Sequence, residues 1–147
     1  MIREKIQIVR EFQFPVTTIY HAFTNSEFLK KWLAPTGFSC PNIVFELKVG
    51  GRTHTHFIDS DGNSAISEGI FTKVVPNSLI EYDFQVGYLD QEIKGLTTQI
   101  IFEPTESGTL VTVELQVPGK EFAAGCIIGW NQSMDNLESA LDSSKKT

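Results

Sequence analysis

The stretch TLVTVELQV (residues 109–117), followed at once by PGKEFAAGCIIGWNQSMDNLESAL (118–141), changes its hydrophobic period once, and that change decides the fold. Its first part reads as a β-strand, rich in β-branched residues and ended by Pro118-Gly119. Beyond the break, Ile127, Trp130, Met134, Leu137 and Leu141 follow spacings of 3, 4, 3 and 4 and so share one narrow helical face. Asp135, Glu138 and Asp142 fall off that face. Gly125 and Gly129 weaken the first turns, while their missing side chains permit a neighbour's backbone to approach closely. The residues from Ser143 to Thr147 read as a frayed end.

Working outward toward the N-terminus, five more strands precede the helix. They are predicted around Ile43 to Val49, Arg52 to Asp59, Ser64 to Val75, Ile80 to Val86 and Leu96 to Phe102. Gly50-Gly51, Asp61-Gly62, Pro76-Asn77 and the run Pro104 to Gly108 separate them as turns. Sequential strands joined by short turns give an antiparallel meander. Before it, Val16, Ile19, Tyr20 and Phe23 form a helical stripe opened by Pro15, with Pro15 at the first helical position. A second short helix follows, with Ser26 as N-cap, carrying Phe28, Leu29, Trp32 and Leu33 up to Pro35 and Gly37. The chain opens with Ile2, Ile6, Ile8, Phe12 and Phe14 on one side of a long strand and Arg3, Lys5, Gln7, Glu11 and Gln13 on the other. The order is therefore β, α, α, six strands and one long α, an α+β layer arrangement within one domain over 1–147.

Composition narrows the function classes. A formal charge of −6 repels phosphate backbones, so nucleic acid is not an expected partner. No run approaches the ~18 apolar residues of a membrane span, and the charged N-terminus lacks the apolar core of a signal peptide. Cys40 and Cys126 match no metal or redox spacing, so a reduced, cytoplasmic protein with two free thiols is the expectation.

The segment IYHAFTNSEFLKKW (19–32) resembles the opening of the START-like (SRPBCC) superfamily, nearest to homologues of the activator of the heat-shock-protein-90 ATPase. Val49-Gly50-Gly51-Arg52, Gly69-Ile70-Phe71 with Val75-Pro76-Asn77-Ser78-Leu79, and Gly129-Trp130 follow in the family's order. Ser26 stands where the family usually has proline, and Leu33 where it often has a second aromatic residue. The resemblance implies a helix-grip fold, a curved six- to seven-stranded antiparallel sheet around the C-terminal helix with a cavity between them. It does not fix a function, because relatives include lipid carriers, polyketide cyclases and chaperone activators.

Few motifs carry chemistry. His54 and His56 lie two apart on one strand and so share a face, where Glu68 or Asp59 could complete a metal set. Without a third ligand at a recognisable spacing, lining a pocket is the stronger reading, and no metal or cofactor is expected. Glu81 and Asp83 alternate with Ile80, Tyr82 and Phe84 and are predicted outward, whereas Glu68 is left open as a lone pocket acid. No G-x-S-x-G elbow, G-x-G-x-x-G or Walker pattern occurs. The aromatic residues Phe23, Phe28, Trp32, Phe38, Phe71, Tyr82, Phe84, Phe102 and Trp130 can all face inward, as plain core or as cavity wall.

The expected site is therefore an apolar ligand pocket of Trp32, Phe38, His54, His56, Phe71, Tyr82, Phe84, Trp130 and Met134. The leading function is non-catalytic binding of a small hydrophobic or amphipathic ligand. A protein-interaction module of the chaperone-activator kind is the second reading. A cyclase or dehydratase using His54, His56 or Glu68 is the third. Monomer and homodimer both stay open, since charges such as Glu11 or Lys48 blunt an edge strand that could otherwise pair.

Overall fold

The computed structural model describes residues 3–145. Strand β1 (Glu4–Phe12) is followed by helices α1 (Val16–Thr24) and α2 (Ser26–Leu29). Six strands come next: β2 (Phe38–Phe45), β3 (Arg52–Asp59), β4 (Ser64–Val75), β5 (Leu79–Tyr88), β6 (Gln91–Pro104) and β7 (Thr109–Val117). Helix α3 (Lys120–Lys145) closes the chain. All pairings are antiparallel, in the order β1-β7-β6-β5-β4-β3-β2. Strand β1 therefore joins the far end of the meander, and the two short helices carry the chain across to β2. Register shifts near Ser39/Asn42, Phe71/Lys73 and Phe84/Val86 insert bulges, which bend a sheet and raise its local twist.

One face of the sheet is buried under the helices. Ile8 and Phe12 of β1, Ile100 and Phe102 of β6, and Val111, Val113, Leu115 and Val117 of β7 meet Met134, Leu137 and Leu141 of α3 in one core. Tyr20 and Phe23 of α1 pack edge-on against Phe102, and Phe23 also packs against Trp32. The Trp32 indole donates to the Ala22 carbonyl at 3.0 Å, which pins the turn after α2 to α1. At Gly69 an added Cβ would lie 2.1 Å from the Asp83 carbonyl oxygen and 2.6 Å from the Phe84 Cβ. Glycine there lets β4 and β5 approach at the aromatic position opposite.

Several boundaries differ from the sequence reading. Strand β2 runs from Phe38 to Phe45 rather than from Ile43 to Val49, and Leu47 and Val49 are exposed in the turn that follows. Pro41 argues against a central strand, but β2 is an edge with a bulge beside that residue, where a missing N–H is tolerated. Asn25, not Ser26, caps α2; its side chain accepts from the Phe28 N–H at 3.0 Å. Pro15 sits just before α1 in an extended conformation, not at its first helical position. Helix α3 continues to Lys145, so Ser143 and the two residues after it are helical rather than frayed. Ile2 and the final two residues, also read above, lie outside the described residues.

Candidate ligand cavity

Between the concave face of the sheet and the first half of α3 lies an open-mouthed cavity of about 210 Å³. Strands β2 to β6 supply its floor, since Phe45, Thr53, Thr55, Phe57, Ala65, Ser67, Tyr82, Phe84, Val86 and Thr98 project to the same side of the register. Leu33 and Pro35 close one side, and Cys126, Gly129, Trp130 and Ser133 of α3 form the roof. Two wider hollows of about 380 and 570 Å³ lie on the other face. Charged and polar side chains such as Glu68, Gln85, Asp83 and Asp90 line them, as expected of open surface rather than of a ligand pocket.

Polar side chains of α3 hold the wall after α2 in place. Ser133 donates to the Leu33 carbonyl at 2.7 Å, Asn136 donates to the Ala34 carbonyl at 3.1 Å, and Gln132 accepts from the Thr36 N–H at 3.1 Å. These bonds pair backbone groups of the segment after α2 and fix Leu33 and Pro35 against the opening. At the opposite edge, Arg10 of β1 faces α3 and donates to Asp135 at 2.7 Å, with Glu138 at 3.5 Å and Asn131 at 3.4 Å. Asp135 and Glu138, off the apolar stripe, are thus the contacts that clamp the helix to β1.

Among the described residues, no charged side chain lines the cavity. Thr55 and Ser67 hydrogen-bond each other across β3 and β4. Burial pushes the Tyr82 phenol up to about 12, with a hydrogen bond to Thr98 offsetting part of the rise. Burial likewise pushes the Cys126 thiol up to about 11. Both groups are therefore neutral near pH 7, and Cys126 is a poor nucleophile there.

Of the residues expected at the pocket, Tyr82, Phe84 and Trp130 are in its wall. His54 and His56 are not, and that expectation is corrected. Position parity puts both on the convex face, where His54 Nδ1 lies 2.9 Å from Glu68 Oε1 and His56 Nε2 lies 2.8 Å from Ser64 Oγ. Glu68 is there as well, so it is not a pocket acid. Trp32, Phe71 and Met134 are fully buried core, one layer behind the wall. Phe38 packs on Phe57 and Tyr88 rather than on the cavity itself. Sequence reasoning missed the inward set Thr53, Thr55, Phe57, Ala65 and Ser67. The available signal was Phe57, which shares parity with the two threonines.

A curved antiparallel sheet gripping a long C-terminal helix, with an apolar cavity between them, defines a helix-grip protein. Residues 13–142 match the family model described as Activator of Hsp90 ATPase homolog 1-like protein, and the chain belongs to that family. Among solved structures, a protein from Nitrosomonas europaea is similar with 25% identity and a TM-score of 0.83, covering 97% of each chain. A protein from Rhizobium leguminosarum gives a TM-score of 0.85 at 22% identity over 97% of this chain and 96% of its own. An AHSA1-like protein from Aeromonas hydrophila gives 0.78 at 20% identity over 97% and 94%. The last two likenesses speak for the fold alone. No curated protein matches. Among the described residues, no helix is long and apolar enough to cross a membrane.

Proposed function

We propose that the chain binds a small hydrophobic or amphipathic molecule in this cavity and carries out no bond-making chemistry on it. The observation that carries the reading is the cavity wall, where Phe45, Phe57, Tyr82, Phe84 and Trp130 surround a space with a few hydroxyls. Apolar rings with sparse polar groups are the usual make-up of a ligand site. The cyclase or dehydratase reading loses its acid and base, because His54, His56 and Glu68 face away from that space.

Native mass spectrometry of gently purified protein, followed by extraction, tests the proposal. A stoichiometric apolar adduct that is lost in Trp130→Ala supports it. An empty protein that also takes up no hydrophobic dye contradicts it. The interaction reading rests on a different observation, the exposure of Val49 (66%) and Ile128 (60%) beside the family's chaperone-activator description. It calls for capture of an Hsp90-type chaperone, reduced by Ile128→Ser.

A further inference from the structure

We infer that the cavity selects uncharged guests of one or two rings bearing a single hydroxyl or carbonyl group, and rejects carboxylates of the same shape. The inference rests on the ligand-binding reading above and names the class of ligand that reading leaves open. No Asp, Glu, Lys, Arg or His occurs among the described residues of the wall. A guest carboxylate would therefore surrender its water without meeting a cation, which disfavours the ionised form strongly. The chain's net charge of −6 adds long-range repulsion of anions.

The hydroxyls of the wall are largely engaged with the protein. The single Ser133 O–H is shared between the Leu33 carbonyl at 2.7 Å and the Gly129 carbonyl at 3.0 Å, and Thr53 and Thr98 are buried. Thr55 and Ser67 share one hydrogen between them, so that pair keeps one further O–H and its lone pairs for a guest. Such a pair matches one neutral donor-acceptor group and offers little to an anion.

Size points the same way. An engineered apolar cavity of about 150 Å³ takes up benzene. The space here is about 210 Å³, which suits one or two fused rings and not an extended acyl chain.

Isothermal titration at pH 7 with 2-naphthol and 2-naphthoate tests the inference, because the probes share a ring system and differ in charge. The expected result is one 2-naphthol per chain, bound at least ~10-fold more tightly than 2-naphthoate. Ala65→Leu, which fills the cavity from β4, should weaken 2-naphthol at least ~10-fold. The nearly isosteric Thr55→Val should weaken it about fivefold while leaving the fold intact. Equal affinity for the two probes, with both weakened by Ala65→Leu, would overturn the charge selection and leave the ligand cavity standing. Binding of neither probe would overturn the inference and count against the cavity reading with it. Binding indifferent to both substitutions would overturn it by putting the site elsewhere.

Discussion

From Ser133 to Leu141, helix α3 buries Met134 and Leu137 completely and Leu141 almost so, and its polar flank is tied to β1 and to the chain after α2. From Lys120 to Gly129 the same helix leaves Ile127 and Ile128 exposed and carries Gly125 and Gly129. Glycine inside a helix costs about 0.5–1 kcal/mol relative to alanine. Close packing does not offset that cost here. A Cβ at Gly125 would meet nothing within 4 Å, and one at Gly129 would reach only the Pro35 Cβ at 4.0 Å. The expectation that these glycines admit a neighbouring backbone is thus corrected. One half of the helix anchors the fold, and the other half leaves space and roofs the cavity.

The sharpest way to break this division is to truncate each half. Leu137→Ala should destabilise the protein by about 2–5 kcal/mol in chemical denaturation, because it empties a fully buried site. Ile128→Ala should change stability by less than ~0.5 kcal/mol, as an exposed substitution does; comparable losses at the two positions would erase the contrast.

Thiol chemistry probes the roof next. With its thiol raised from 9.0 to about 11, Cys126 should hold about 100-fold less thiolate at neutral pH and alkylate correspondingly slowly. Its rate should climb as pH rises toward 11 and fall further when 2-naphthol is present. Alkylation as fast as that of a free thiol would mean that the roof stands open.

Smaller effects refine the picture. Arg10→Ala removes the clamp on the anchored half and should cost up to about 1 kcal/mol, less at high salt, since Asp135 and Glu138 are largely exposed. Gly125→Ala should stabilise the protein by about 0.5–1 kcal/mol through helix propensity alone. A destabilisation there would reveal a contact that the geometry lacks.

The sequence made most elements legible because their periods are clean. Strands β3, β4 and β7 and the body of α3 lie where alternation or helical spacing put them. Legibility failed where period gives no direction. On β3, Phe57 shares parity with Thr53 and Thr55 but Ile58 shares it with His54 and His56, so the apolar signals opposed each other; the register with Ser67 and Gly69 of β4 decides which pair faces inward. On α3, Ile127 looks like a core residue but is 39% exposed, because the helix presents Ala123, Cys126 and Trp130 to the sheet instead. Arg10 has the parity of the core residues Ile8 and Phe12, and only the position of α3 explains a charge there. Tyr82, Phe84 and Trp130 were readable as inward rings, whereas the hydroxyls between them were not.

Hydrogen exchange along α3, with and without 2-naphthol, tests the division of labour most directly. Amides from Ser133 to Leu141 should exchange slowly, near the global unfolding limit, and those from Lys120 to Gly129 much faster. Saturating 2-naphthol should slow exchange around Cys126 to Trp130 beyond any change in the anchored half. Uniform protection along the helix, or protection by the probe confined to the anchored half, would contradict the account.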